Sequence, residues 1–298
     1  MTPFDVAVVG APFVDLRFSG LERLPRVGEE VIGRTLRVGP GGTGMQAVGA
    51  ARLGLVPALV SPAGTDLGGR ILRSIFADER VAWLGREVDA TPTTAILSAA
   101  EGTAMATAPV DAEPAPEDVA AVDARAVVLS LGRLRLRPPN ADVYVTMGTV
   151  EIDAGARPDP TAFDDARALI LNEREALRLT GARDASAAAE RLTVTAGSVV
   201  VTLGSEGALA VEGGREVRAA APTVAAVDAT GAGDLFVAAY VWADLAECDV
   251  EARLAWACLY AGLSVRAPTP IDGALRREEL LAEGERRGLA APTIDARP

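Results

Sequence analysis

The chain has 298 residues, of which 49% are hydrophobic, so it can bury a sizeable core in one large domain or two small ones. Its net charge of −12 argues against a nucleic-acid or anionic-membrane partner, either of which would favour a basic surface. The absence of histidine excludes a Ser-His-Asp triad and a Cys/His zinc site, so acid–base chemistry must rest mainly on carboxylates.

The two cysteines, Cys248 and Cys258, are typical of buried small residues in a reducing compartment. No apolar run is long enough to span a bilayer, and no secretory leader pattern opens the sequence. We therefore expect a cytoplasmic protein that does not bind membranes.

Strands and helices are predicted to alternate along the chain. Predicted strands cover residues 4–9, 58–61, 126–129, 143–146, 169–171 and 199–203, and predicted helices cover 44–53, 68–77, 117–122, 173–180 and 185–193. Residues 233–265 are nearly all helical in pattern. This alternation predicts a three-layer α/β/α fold with a mostly parallel sheet and helices on both faces.

Two β-like segments, residues 16–38 and 93–107, interrupt the alternation. They are predicted either to form a small β lid over a substrate or to be two ordinary surface hairpins. The connection at residues 133–140 is short, which indicates either a lost helix or a local change of strand pairing.

The segment Asp228-Ala-Thr-Gly-Ala-Gly-Asp234 stands directly before an apolar helical run. Gly231, Ala232 and Gly233 carry almost no side chain, and a helix that starts there points unpaired backbone N–H groups outward at the positive end of its dipole. This arrangement suits a phosphate. Asp234 would stand at the edge of the phosphate site as a proton acceptor, or it would only cap the helix.

This segment resembles the C-terminal signature of the ribokinase-like (PfkB) carbohydrate kinase family, and further matches follow the family's order along nearly the whole chain. They include Gly41-Gly42, Gly64-Thr-Asp66-Leu-Gly68, Asn172-Glu-Arg-Glu175 and Thr202-Leu-Gly204-Ser-Glu-Gly207. The resemblance implies one ribokinase-like domain over residues 1–298, with a lid from about 12–40 and 91–109. It also implies ATP-dependent phosphoryl transfer to a hydroxyl of a small sugar or sugar-like alcohol, with ATP and Mg²⁺ as cofactors.

Roles for individual residues follow from the same resemblance. Asp234 is expected to be the catalytic base, and Gly231, Ala232 and Gly233 to stabilise the migrating phosphoryl group. Asn172 and Glu175 are expected to organise Mg²⁺ through water, although an asparagine helix cap is the plainer interpretation. The ATP site is expected to include Thr202, Gly204, Gly207 and Cys258, the last in place of a family asparagine.

Substrate contacts are expected from Asp15, Gly41 and Gly42, together with Met45 or Gln46. The family's substrate-contacting asparagine falls on Met45 by one count and on Gln46 by another, so the acceptor pocket is altered. The lysine that often follows the paired glycines in phosphosugar kinases is absent, which argues against a phosphosugar acceptor, although Arg17, Arg34 or Arg37 could substitute for it.

Asp228 is a candidate ligand for a monovalent cation such as K⁺, but Thr269-Pro270 replaces the small residues of the family's cation loop, which argues against K⁺ dependence. A nucleoside kinase of the same fold and a catalytically inactive sugar- or nucleotide-binding regulator stay open as alternatives. A homodimer through the lid is a further expectation.

Overall fold

The computed structural model describes residues 4–110, 113–147, 163, 165–193 and 196–292. Within them, strands β1–β15 span Phe4–Val9, Pro12–Leu21, Thr35–Gly42, Pro57–Val60, Ala63–Gly64, Ala82–Leu84, Glu87–Val88, Thr93–Ala99, Gly102–Ala108, Ala124–Ser130, Asp142–Thr146, Ala166–Asn172, Ser198–Thr202, Ala208–Glu212 and Arg215–Ala219. Helices α1–α9 span Thr43–Arg52, Leu67–Asp78, Pro116–Ala120, Glu173–Thr180, Ala185–Leu192, Ala232–Leu245, Val250–Ser264, Pro270–Gly273 and Arg277–Glu285.

The main sheet has nine strands in the order β15-β14-β13-β12-β11-β10-β1-β4-β6. The pairs from β13 through β6 are parallel, and β14 and β15 add an antiparallel edge. Parallel strands place their carboxyl ends along one edge of the sheet, where open α/β folds bind ligands. The segments that follow these strands are therefore where a site is expected.

The core lies on both faces of the main sheet. Alternate residues of β1 divide between two apolar clusters, with Val6 and Val8 in one and Ala7 and Val9 in the other. Helices α1, α6 and α7 supply much of the first cluster, and α5 contributes to the second. A strand buried on both faces has a continuous apolar sequence rather than an alternating one. The predicted three-layer, mostly parallel α/β/α architecture is confirmed.

A second sheet, here called the small sheet, has the strand order β3-β2-β8-β9. Strand β2 pairs antiparallel with β3 and parallel with β8, and β8 and β9 form a hairpin whose register joins Ala99 to Gly102. The two segments that interrupt the predicted alternation thus meet in one sheet instead of forming two separate surface hairpins.

The short connection after β10 is a 3-10 helix, Leu131–Leu136, and β10 and β11 remain parallel neighbours in register. The connection is therefore shortened while the strand pairing is kept. The edge strands β14 and β15 and the last two helices were not predicted. In the part of the chain that the structure describes, no helix combines the length and apolar character needed to cross a membrane.

Candidate active site

A cleft of about 250 Å³ opens at the carboxyl edge of the main sheet. It lies where β11, β12 and β13 end and where α6 begins, and α1 contributes one side chain. The residues that line it are Gln46, Thr146, Met147, Ile170, Leu171, Asn172, Glu175, Thr202, Gly231, Gly233, Asp234 and Val237. Side chains that are far apart in the sequence are thus brought into one cleft.

The loop at residues 228–231, here called the anion loop, leads directly into α6. Asp228 Oδ1 accepts a hydrogen bond from the Thr230 backbone N–H at 2.8 Å, which fixes the turn. Gly231 has φ of 82°, and a Cβ there would lie 2.9 Å from the ring of Pro270, so only glycine fits. Helix α6 begins at Ala232, and the first N–H groups of a helix have no intrahelical acceptor, so this end is suited to an anion.

Asp234 lies in the first turn of α6, partly exposed at the floor of the cleft. Gln46 Nε2 donates a hydrogen bond to Asp234 Oδ1 at 3.0 Å. Burial of the carboxylate within the cleft, reinforced by the charge of Asp15, raises the pKa of Asp234 to about 7. The Gln46 hydrogen bond and the charge of Arg17 act in the opposite direction. The cap of α6 is Gly231, without a side-chain cap bond, so Asp234 is not the helix cap. A carboxylate whose pKa lies near neutrality is well matched to accept a proton.

Asn172 and Glu175 form reciprocal hydrogen bonds where β12 ends and α4 begins. Asn172 Oδ1 accepts from the Glu175 backbone N–H at 2.9 Å, and Glu175 Oε2 accepts from the Asn172 N–H at 3.0 Å. This capping box fixes both side chains at the edge of the cleft. Capping and ligand binding are compatible here, because both residues also line the cleft.

The turn after β13 approaches the same cleft. Thr202 lines it, and the 3-10 helix Gly204–Glu206 follows, with φ of 61° at Gly204 and 104° at Gly207. Cys258 on α7 is buried at 3% exposure and donates its thiol to the Ala219 carbonyl at 3.6 Å. Burial raises the pKa of this thiol to about 12, so Cys258 is a neutral packing residue beneath the loop after β15.

Asp15 is buried on β2 of the small sheet, and its carboxylate packs against the backbone of Gly41. A Cβ at Gly41 would lie 2.4 Å from Asp15 Oδ1, so this close approach requires glycine. Arg17 Nη2 donates to Asp15 Oδ2 at 3.0 Å. Burial raises the pKa of Asp15, opposed by Arg17 and reinforced by Asp228.

The two candidates for the family's asparagine position lie in different surroundings. Met45 is fully buried in the core cluster on one face of the main sheet. Gln46 is the next residue of α1 and lines the cleft, with its amide on Asp234. Gly42, which precedes α1, has φ of 55° and lies against the Phe13 ring. Of the pair, Gln46 is therefore the side chain that can contact a ligand in this conformation.

Asp228 does not present a free carboxylate to a cation. Its Oδ1 accepts from Thr230 N–H, and its Oδ2 accepts from Arg17 Nη1 at 2.9 Å. The carbonyls of Thr269 and Pro270 accept from the backbone N–H groups of α8 and the residue after it. The Arg17 guanidinium already places a positive charge on Asp228, which repels a second cation there, so the residues present do not fit a monovalent-cation site.

Arg17, named from the sequence only as one substitute for the missing lysine, has a position between two carboxylates that was not predicted. It is 3% exposed and lies two residues beyond Asp15, on the same face of β2. That spacing was the available signal, because a charged side chain at a position that faces inward calls for a charged partner. Its second partner, Asp228, is 211 residues away in sequence, and no local pattern indicates it.

The geometry brings together an anion loop at a helix N-terminus, a carboxylate with a raised pKa and an Asn/Glu pair at the sheet edge, an arrangement that suits phosphoryl transfer. The family model described as pfkB family carbohydrate kinase matches residues 4–276, and the chain belongs to this family. The resemblance inferred from the motifs is thereby confirmed, and the protein is an ATP-dependent carbohydrate kinase.

Individual relatives agree with this assignment. A deoxyribokinase of Salmonella typhi is 28% identical over 291 residues, which cover 88% of this chain and 92% of that protein. The ribokinase of Giardia lamblia superposes with a TM-score of 0.80 at 19% identity, over 96% of this chain and 100% of that one. The ribokinase of Arabidopsis thaliana, solved with ribose and ATP, gives a TM-score of 0.78 at 22% identity, over 94% and 98%. The structural matches establish the ribokinase-like fold.

Proposed function

We propose that this kinase transfers the γ-phosphoryl group of ATP to a hydroxymethyl group of a small neutral sugar or sugar-like alcohol, with Asp234 as the general base. The observation that carries the proposal is the convergence of Asp234, the anion loop and the Asn172–Glu175 pair in one cleft. An acceptor hydroxyl beside Asp234 would lose its proton to the carboxylate as its oxygen attacks the phosphoryl group.

The anion loop and the start of α6 would stabilise the transferring group through backbone N–H groups at the positive end of the helix. Thr202, Gly204 and Gly207 would contact the nucleotide. The loop after β15, which Cys258 packs beneath, would lie beside the adenine base of ATP. Asp15 would accept hydrogen bonds from acceptor hydroxyls through Oδ1, since Oδ2 is bonded to Arg17. Gly41 would leave the room that the Asp15 carboxylate needs, and Gly42 would offer the acceptor a backbone contact.

Mg²⁺ would lie near Asn172 and Glu175 and reach them through water. Among the described residues, no group of three or more acidic or Cys side chains forms a metal cage. The single carboxylate of Glu175 with a neighbouring amide fits a cation that keeps most of its waters and binds mainly to nucleotide phosphates. When bound, the ion would neutralise charge on the β- and γ-phosphates.

A neutral acceptor is favoured by the charges around Asp15. The nearest cation, Arg17, is already shared between Asp15 and Asp228, and Asp234 adds a further carboxylate. A phosphosugar would bring more negative charge into this group, which costs Coulomb energy. The deoxyribokinase of Salmonella typhi, whose name indicates a neutral sugar, is consistent with this choice.

The test is an ADP-release screen of the purified protein with ATP and Mg²⁺ against pentoses, deoxypentoses, hexoses, polyols, phosphosugars and nucleosides. We expect turnover with one or more neutral sugars and little with phosphosugars. Preferred turnover of a nucleoside would replace the proposal with the nucleoside-kinase alternative. A melting-temperature rise with ATP but no turnover on any acceptor would favour the inactive regulator.

We further propose that the small sheet is the lid of this site and that a second copy of the chain covers it. Leu36 and Val38 alternate along β3 and are 53% and 39% exposed, so they share one face of the strand. Light scattering on a size-exclusion column should give a dimer that Leu36→Glu disrupts. A monomeric wild type would contradict this assembly.

A further inference from the structure

Arg17 joins Asp15, the proposed acceptor-binding carboxylate, to the anion loop. Its guanidinium donates to Asp15 Oδ2 at 3.0 Å and to Asp228 Oδ2 at 2.9 Å, and its side chain is 3% exposed. One end of this connection is a strand of the small sheet, and the other is the loop that precedes α6. A planar guanidinium can bind two carboxylates at once, which an ammonium group does less well.

The bridge neutralises a repulsive pair. Without a cation between them, Asp15 and Asp228 would repel, and Asp228 already acts to raise the pKa of Asp15. Both would also repel the incoming phosphoryl group. Because Arg17 is buried with them, its charge is screened less by water than a surface charge would be.

The bridge also supports the shape of the anion loop. Asp228 uses Oδ2 for Arg17 and Oδ1 for the Thr230 N–H, and Thr230 directly precedes Gly231. Fixing the carboxylate therefore fixes the turn that sets the start of α6. A cation bound to Asp228 would supply the same neutralisation and the same constraint.

We propose that Arg17 is a built-in cation that takes over the task of a bound monovalent ion, so that this kinase works without K⁺. The charge around Asp228 supports this, because the Arg17 guanidinium lies 2.9 Å from its Oδ2 and would repel a second cation at the same carboxylate. The inference rests on the proposed function, and it adds Arg17 as a positioning residue that acts through Asp15 and Asp228.

The first experiment uses the wild-type protein. Activity and melting temperature are measured in tetramethylammonium, Na⁺ and K⁺ salts at equal ionic strength. We expect less than about a twofold difference in kcat and no K⁺-specific rise in melting temperature. Strong K⁺ activation, or a K⁺-specific thermal shift, would overturn the proposal. If no acceptor is turned over, the proposed function fails, while the thermal shift still tests cation binding.

The second experiment uses Arg17→Ala, with Arg23→Met as a control for the loss of an exposed arginine that also pairs with a carboxylate. We expect kcat/KM for the acceptor to fall at least about tenfold in Arg17→Ala and to recover partly with added guanidinium or K⁺. The control should remain at the wild-type value. A folded Arg17→Ala protein that neither ion stimulates would show that Arg17 is only structural.

If Arg17→Ala does not fold, Arg17→Lys serves instead, because it keeps the charge but cannot form the planar two-carboxylate contact. We expect it to stay independent of K⁺ while the acceptor KM rises. A lysine variant with the wild-type acceptor KM would show that the two-carboxylate contact does not position Asp15, and the positioning role of Arg17 would be wrong.

Discussion

Helix α6 carries two aspartates in opposite situations, Asp234 in its first turn and Asp244 in its last. The helix dipole alone would stabilise a carboxylate at the first position and destabilise one at the second. The pKa shifts go the other way. The pKa of Asp234 is raised to about 7, and that of Asp244 is lowered. The surroundings therefore outweigh the dipole, through burial at Asp234 and through hydrogen-bonded and cationic partners at Asp244.

Asp244 is buried and has cationic partners. Burial acts to raise its pKa, but hydrogen bonds from Arg167 and Tyr144 and the charge of Arg253 outweigh that effect. Arg167 Nε and Tyr144 Oη donate to Oδ2 at 2.8 and 2.5 Å, and Arg253 lies 3.0 Å from Oδ1. At this end of α6 the side chains of the protein itself satisfy the carboxylate, so the ion network is structural.

Asp234 has one neutral hydrogen-bond donor, the amide of Gln46, and faces an open cleft. Its remaining lone pairs are available to a ligand. The comparison shows how one helix can hold a stabilising carboxylate and a reactive one: Asp244 is in direct ion pairs with two arginines, whereas the charge of Arg17 acts on Asp234 only from a distance.

The strongest test of the difference between Asp234 and Asp244 is the variant Asp234→Asn. Asparagine is isosteric but cannot take the proton, so kcat should fall at least about a hundredfold, the low end for loss of a general base. ATP affinity should hold or tighten slightly, because a negative charge near the γ-phosphate is removed. Steady-state kinetics with the preferred sugar measures kcat, and nucleotide titration measures affinity.

The stability of Asp234→Asn tests the same residue independently. A carboxyl whose folded pKa lies above its unfolded value contributes stability at low pH that is lost as pH rises through about 7. The variant should therefore be at least as stable as the wild type at pH 8. Asp249→Asn, at the exposed cap of α7, is the matched control and should change neither kcat nor stability by much. A drop of several degrees at pH 8 for Asp234→Asn would make Asp234 a structural residue.

The next largest effect is expected from Asp244→Ala. Removing this carboxylate leaves Arg253, which is 3% exposed, with Glu212 as its remaining carboxylate, so we expect a loss of about 3 kcal/mol in the free energy of unfolding. Because the pKa of Asp244 is depressed, its contribution is present above the unfolded value of 3.8 and is lost as pH falls below it.

Urea unfolding of Asp244→Ala is best compared with Asp184→Ala. Asp184 caps α5 at the surface with a 2.8 Å hydrogen bond to Ala187 N–H, and its removal should cost about 1 kcal/mol. Equal losses in the two variants would mean that the buried network adds nothing beyond an ordinary cap.

Much of the fold was predictable from the sequence because buried parallel strands have continuous apolar runs and their helices have clear caps. Helix 173–180 was predicted with the bounds that the structure gives. Strands β14 and β15 were missed for different reasons: β14 has an apolar run too short to be told from a helix segment, and β15 is a mostly exposed edge strand with few apolar residues. The anion loop and Asp234 were found because their chemistry is local in sequence.

The parts of the site that the sequence did not provide depend on long-range packing. The Arg17–Asp228 pair joins a strand near the start of the chain to a loop near its end, and only the folded arrangement reveals it. The choice between Met45 and Gln46 depends on the rotation of α1, because neighbouring helix residues point about 100° apart. A shift of one residue in the sequence match exchanges a core side chain for one in the cleft.

The pH dependence of kcat/KM gives a further test of Asp234 as the proton acceptor. If Asp234 must be ionised to accept the proton, kcat/KM for the acceptor should fall about tenfold per pH unit below about 7 and level off above it. We call this fall at low pH the acid limb of the profile. The residual activity of Asp234→Asn should lack it. In a coupled ADP-release assay, doubling the concentration of the coupling enzymes at each pH checks that they do not limit the measured rate. An acid limb that persists unchanged in the variant would assign the titration to another group.

The smallest effect is expected from Gln46→Leu, which removes the hydrogen bond from Asp234 Oδ1 while keeping a side chain of similar size. That bond stabilises the ionised form, so its loss should move the acid limb upward by about one pH unit and leave the rate at high pH within a few-fold of the wild type. Met45→Leu is the matched control: a volume-conserving change in the core should cost under about 1.5 kcal/mol of stability and leave the limb in place. A raised acceptor KM with an unmoved limb would instead make Gln46 a substrate contact. A moved limb in Met45→Leu would show that packing of α1, rather than the Gln46 amide, sets the pKa of Asp234.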